Sequence, residues 1–90
     1  MRVRVVAFGE LAQILGKELL FNLPEGFDLS ALLSLLAERS GSERGYLGRY
    51  RVTEEVAILL NGRSIHLLEG MRTRIRDGDT VYLLLPFAGG

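Results

Sequence analysis

Hydrophobic positions recur with a period of two at both ends of the chain and with a helical period between them. Val3, Val5 and Ala7 alternate with Arg2, Arg4, Val6 and Phe8, the spacing that sends successive side chains to opposite faces of a strand. Gly9 and Gly16 bracket Leu11, Ile14 and Leu15, which predicts a short helical turn. Lys17 to Leu23 resumes the alternation, with Leu19, Phe21 and Leu23 on one face, and predicts a second strand paired with the first. Pro24-Glu25-Gly26 breaks the chain, and Asp28 stands where an N-cap accepts hydrogen bonds from the first free amides of a helix. Leu29, Leu32, Leu33 and Leu36 follow as one apolar stripe that must lie on a sheet. Gly41 is the predicted helix stop.

Arg39 to Glu55 is rich in charge and glycine and has no clear period, so a long surface loop is expected there, with a helical turn at Tyr46 to Tyr50. Val56 to Leu60 reads as a strand that enters Asn61-Gly62, a strong hairpin signal because both turn positions need positive φ. A short return strand, Arg63 to Ile65, is expected next. His66 to Arg76 holds the turn residues Glu69-Gly70, and Asp77-Gly78-Asp79 turns the chain into a last strand from Thr80 to Leu85. One main helix and one mixed sheet of about five strands around a single core make a two-layer α+β domain over residues 1–90, with 86–90 as a tail.

Composition narrows the chemistry. Ninety residues, 48% of them hydrophobic, are enough for one core and too few for two. The absence of cysteine excludes a cysteine nucleophile, a thiolate zinc site and a disulfide scaffold, and agrees with a reducing, cytoplasmic setting. Any sulfur chemistry must therefore use sulfur brought from elsewhere. Eleven basic and eleven acidic residues cancel, so no global attraction to nucleic acid or to anionic lipid is expected. The amino terminus alternates charge with apolar residues and lacks the continuous run of a signal peptide or membrane span. His66 has no carboxylate or cysteine cluster at ligand spacing, so no metal site is expected. Asp77 and Asp79 read as turn formers. Arg72, Arg74 and Arg76 alternate as a solvated edge or as a contact for acidic groups.

The last five residues, Pro86-Phe87-Ala88-Gly89-Gly90, follow a strand directly. Glycine has no Cβ, so a diglycine end is a bare peptide that can enter a channel too narrow for other residues; five residues could project about 17 Å. Taken alone, such an ending fits either an inserted tail or a frayed terminus. Strand parity adds a surface to it. Arg2 and Arg4 are costly to bury and mark the open face of the first strand, which carries Val6 and Phe8 as well. If Val81, Leu83 and Leu85 face the helix, Tyr82 and Leu84 point outward, and Phe8, Tyr82 and Leu84 form an exposed apolar patch at the root of the tail.

Together, the strand order with one long helix, the apolar strand entering Asn61-Gly62, the Thr73 and Asp77-Gly78-Asp79-Thr80-Val81 approach and the Pro86-to-Gly90 ending resemble the ubiquitin-like β-grasp sulfur carriers. The likeness is strongest to the small subunits of molybdopterin synthases and covers essentially the whole chain. Leu85 departs from it, standing where those proteins commonly have the first of two prolines. The resemblance implies that Gly90 carries the reactive group, that Gly89 lets it pass, and that Phe8, Tyr82, Leu84, Pro86, Phe87 and Ala88 meet a partner. An enzyme like those that activate ubiquitin is expected to adenylate Gly90 with ATP, and a sulfur-donor enzyme to convert it to a thiocarboxylate. The large synthase subunit, in a heterotetramer, is expected to receive that sulfur on a cyclic pyranopterin precursor. The chain itself is expected to bind no cofactor and not to be catalytic alone. Carriers for thiamin or tRNA thiolation share the same chemistry at Gly90, a ubiquitin-like modifier would join Gly90 to lysines of target proteins, and a plain β-grasp interaction domain would not need Gly90.

Overall fold

The alternating segments fold as strands because only one of their faces is apolar enough to bury. The computed structural model describes residues 1–86. Strand β1 (Arg2–Ala7) buries Val3, Val5 and Ala7 and leaves Arg2 and Arg4 exposed. It pairs antiparallel with β2 (Glu18–Asn22), across the short helix α1 (Gly9–Leu15) that connects them. Strand β7 (Thr80–Leu84) lies parallel to β1 on its other side. Beyond β7 come β5 (Ala57–Leu60) and the two-residue β6 (Arg63–Ser64), both antiparallel pairings. The five-stranded sheet therefore runs β2-β1-β7-β5-β6.

One face of this sheet is covered by α2 (Leu29–Arg39). Its start is fixed by Asp28, whose Oδ1 accepts a hydrogen bond from the Ala31 amide at 2.8 Å. Its end is a Schellman motif: Ser42 N donates to Ala37 O at 2.8 Å and Gly41 N to Glu38 O at 3.1 Å, with Gly41 at φ +70°. Between those caps Leu29, Leu32, Leu33 and Leu36 are buried against Val3, Val5, Ile58, Leu60, Val81 and Leu83. Each such leucine is worth about 1.5–3 kcal/mol of burial, so the stripe fixes which face of the sheet is inside.

The hairpin at Asn61-Gly62 has both residues at positive φ, +53° and +89°. The Asn61 side chain also ties this turn to β7, accepting from Thr80 N and donating to Asp79 Oδ1, each at 2.9 Å. Three expectations need correction. The return strand ends at Ser64, and Ile65 begins a 3-10 turn (Ile65–Leu67), followed by another at Gly70–Arg72. The helical turn sits at α3 (Val52–Glu55), not at Tyr46 to Tyr50. Residues 46–51, expected as loop, form a small hairpin, β3 (Tyr46–Leu47) with β4 (Tyr50–Arg51).

That excursion belongs to the core. Leu47 is fully buried and Val52 nearly so, which the even spread of charges around them hid. The turn between β3 and β4 favours glycine: Gly48 has φ +60°, and a Cβ there would lie 2.6 Å from Ile14 Cδ1, so the tip of that side chain would have to swing aside. Outside, Tyr50 Oη donates to Glu10 Oε1 at 2.7 Å and accepts from Arg49 Nη2 at 2.9 Å, which ties the hairpin to α1. Hydrogen bonds to Tyr50 and Tyr46 are the largest influences that raise the pKa of Arg49 and Arg51, respectively, above the ordinary arginine value.

Candidate functional site

The sheet face opposite α2 is open, and its side chains follow from the register. Val6 pairs with Tyr82, Tyr82 with Leu59, and Leu84 with Ala57. Phe8 continues β1 by one residue, its amide donating to Leu83 O at 3.1 Å. These contacts place Phe8, Tyr82 and Leu84 side by side on the open face; Phe8 is exposed there, whereas Tyr82 and Leu84, expected to be exposed as well, are half-buried because their neighbours on β1 and β5 cover part of each. The rings of Phe8 and Tyr82 stack with centroids 6.4 Å apart and planes 17° from parallel, the offset geometry that aromatic quadrupoles favour. Phe8 is 48% exposed, and what sets it apart from the more exposed Leu20 and Leu67 is that it lines a hollow with other apolar side chains.

A shallow hollow of about 280 Å³ opens here, lined by Phe8, Leu59, Asn61, Gly62, Tyr82 and Leu84. Leu59 and the hairpin turn were missed in the sequence. Leu59 reaches the patch through the β5–β7 pairing, where it stands opposite Tyr82, a relation the hairpin alone does not give. Further along the same face, Arg4 Nε lies 2.9 Å from Glu18 Oε2 across β1 and β2. A larger hollow of about 580 Å³, walled by Arg2, Arg4, Leu20 and Asp79 among others, lies toward the far end of the same sheet and does not touch the patch.

Strand β7 leads from this patch to the carboxyl end. Leu85 packs partly buried against the core and Pro86 is exposed, so the core's hold on the chain extends to the residue before Pro86. Of the tail positions singled out in the sequence, Phe87, Ala88, Gly89 and Gly90 lie outside the described residues. Among the described residues, no group of three or more histidine, cysteine, aspartate or glutamate side chains could hold a metal ion, and no helix is long and apolar enough to cross a membrane. His66 is exposed. Asp77 and Asp79 serve their turn: Asp77 Oδ1 accepts from Arg2 N and Asp79 Oδ2 from Arg76 N.

Comparison with known proteins gives this geometry a lineage. Residues 5–90 match the ThiS family. This chain belongs to the ThiS family. Among relatives of this ThiS-family chain, small archaeal modifier protein 3 of Haloferax volcanii is 41% identical over 59 residues, which are 66% of this chain and 64% of that protein's length, just under two thirds. Among solved structures, small archaeal modifier protein 1 of Methanosarcina acetivorans superposes with a TM-score of 0.76 at 28% identity, covering 99% of this chain and 96% of that one. A chain from the complex of subunits 1 and 2 of the molybdopterin-converting factor of Helicobacter pylori superposes with a TM-score of 0.63 at 28% identity, covering 100% of both chains. The fold is thus the ubiquitin-like β-grasp, and the ThiS-family protein falls in the class of sulfur carriers and ubiquitin-like modifiers.

Proposed function

We propose that this ThiS-family chain is the small, sulfur-donating subunit of a molybdopterin synthase. The observation that carries the reading is the full-length likeness to the Helicobacter pylori chain solved in complex with its companion subunit of the molybdopterin-converting factor. Docking on the large subunit uses the Phe8, Leu59, Tyr82 and Leu84 patch, which lies on the same strands that lead into the tail. Pro86, Phe87 and Ala88 span the distance to the acceptor site, and Gly89 keeps the approach narrow enough for Gly90 to enter.

The chemistry follows from what a terminal carboxylate lacks. With a pKa of about 3.3–3.7 it is an anion at neutral pH and a poor electrophile. An E1-like enzyme adenylates it: a Gly90 carboxylate oxygen attacks the α-phosphorus of ATP and pyrophosphate leaves. The terminal sulfur of a sulfur-donor enzyme's persulfide then displaces AMP, and a thiol cleaves the resulting acyl disulfide, forming a disulfide with the donor cysteine and releasing the thiocarboxylate. In the large subunit's pocket this sulfur attacks the cyclic pyranopterin precursor, and hydrolysis returns Gly90 to the carboxylate. The protein binds no cofactor of its own in this scheme and works in the cytoplasm. Proton transfers and substrate contacts come from the large subunit.

The test is reconstitution. Intact-mass analysis of protein from its native host should show one oxygen exchanged for sulfur at the last residue, and that form, mixed with the precursor and the large subunit, should yield the dithiolene product. A thiocarboxylated protein that transfers no sulfur to the precursor overturns the reading. A second reading, a protein modifier joined through Gly90 to lysines, is favoured by the 41% identity to small archaeal modifier protein 3. Denaturing electrophoresis separates the two, because target ladders that vanish on deletion of Gly90 mark the modifier.

A further inference from the structure

The two edges of the sheet differ sharply. The β6 edge is only two residues long before the chain turns into a 3-10 helix, which blunts it. The β2 edge is a five-residue strand, Glu18–Asn22, with no proline and no bulge in its pairing to β1. Its hydrogen-bonding phase can be read from the ladder. Met1 and Leu23 exchange bonds in both directions, at 2.7 and 2.8 Å, and Ala7 N donates to Lys17 O at 3.0 Å. Antiparallel pairs alternate, so residues 17, 19, 21 and 23 bond to β1, while the N–H and C=O groups of Glu18, Leu20 and Asn22 point away from the sheet. The Leu20 side chain, in the middle of that row, is 76% exposed.

We infer that β2 pairs antiparallel with β2 of a second copy of this chain, with the two-fold axis at Leu20. In that register all three outward residues find partners: Leu20 faces Leu20 of the second copy, and Glu18 faces Asn22 of the second copy, twice by symmetry. No like charges meet. On the other face Leu19 comes opposite Phe21 of the second copy, extending a partly buried apolar row. A shift by two residues in one direction would set Glu18 against Leu20 and in the other Asn22 against Leu20, each leaving an outward residue unpaired. The zero net charge of the chain removes the global repulsion that keeps many small proteins apart. The product is a continuous ten-stranded sheet with both Phe8, Tyr82 and Leu84 patches uncovered, since those lie on β1 and β7 rather than at the β2 edge. The interface is one strand pair, smaller than the usual specific interface, so the dimer is weak and depends on concentration.

The position that tests this is Asn22, exposed and opposite Glu18 of the second copy. Asn22→Glu places two pairs of like charges across the axis, and Asn22→Lys places two opposite-charge pairs there. Sedimentation equilibrium of the full chain, up to about 1 mM, should show the glutamate variant dimerising about two- to thirty-fold more weakly than the wild type and the lysine variant more tightly by a similar factor. Within one copy, residue 22 pairs with Arg2, so the effect on monomer stability has the opposite sign: glutamate gains and lysine loses. Thermal unfolding of dilute protein therefore separates the interface from simple stability. A chain that stays monomeric throughout this range overturns the inference and leaves the edge to a strand of another protein. So does a dimer that both substitutions shift in the same direction or leave unchanged.

Discussion

Replacing Leu84 with glutamate tests the docking surface most directly. Leu84 lies on the open face beside Phe8 and opposite Ala57, outside the helix-covered core. It is already partly buried in the free protein, so docking removes at most about a third of its surface from water, worth at most about 0.5–1 kcal/mol out of the 1.5–3 kcal/mol for a whole leucine. A glutamate in its place forfeits that gain and must shed water without a partner, which costs about 1–3 kcal/mol more. The sum, about 1–4 kcal/mol, weakens binding to the large subunit about five- to thousand-fold. Titration calorimetry with the purified large subunit reads the change, and circular dichroism during heating reports whether the fold survives. Leu67→Glu is the control, because Leu67 is 79% exposed in a 3-10 turn and does not line the hollow. Wild-type affinity in Leu84→Glu, or an equal loss in Leu67→Glu, refutes the assignment of the patch.

Removing Gly89-Gly90 should abolish sulfur transfer in the reconstituted reaction, because the carboxylate that would carry the sulfur goes with them, and circular dichroism during heating checks that the truncated protein is folded. Leu47→Ala should destabilise by about 2–5 kcal/mol in denaturant unfolding, since a fully buried leucine is truncated; a change within about 0.5 kcal/mol, typical of surface sites, would mean that the hairpin is not part of the core. Asp28→Ala should cost about 0.5–2 kcal/mol by loss of the cap on α2, measured the same way.

Most of the sheet and the main helix were legible because burial there has only one solution. The spacing of Leu29, Leu32, Leu33 and Leu36 admits a single inward stripe, and the alternation of Val3, Val5 and Ala7 against two arginines admits a single inward face. Asn61-Gly62 then fixed a hairpin by backbone geometry alone. The β3 and β4 hairpin and the α3 turn after it were not legible, because strands of two residues carry no period and the core contribution of this stretch comes from two isolated residues, Leu47 in β3 and Val52 in α3, set among arginine, glutamate and tyrosine. The patch was half legible for a related reason. Parity along a strand gives Phe8, Tyr82 and Leu84, but Leu59 joins them only through pairing across the sheet, a relation between distant residues.

Strand β7 is gripped on both flanks, parallel to β1 and antiparallel to β5. A machine that draws on the carboxyl end therefore loads this strand along its own axis, with both ladders of hydrogen bonds lying across the line of force. Such a strand resists in shear: its bonds must fail together, where an edge strand pulled sideways would peel open one at a time. A pull delivered through Leu85 and Pro86 is thus borne by the whole of β7 at once, with the rest of the sheet staying folded behind it.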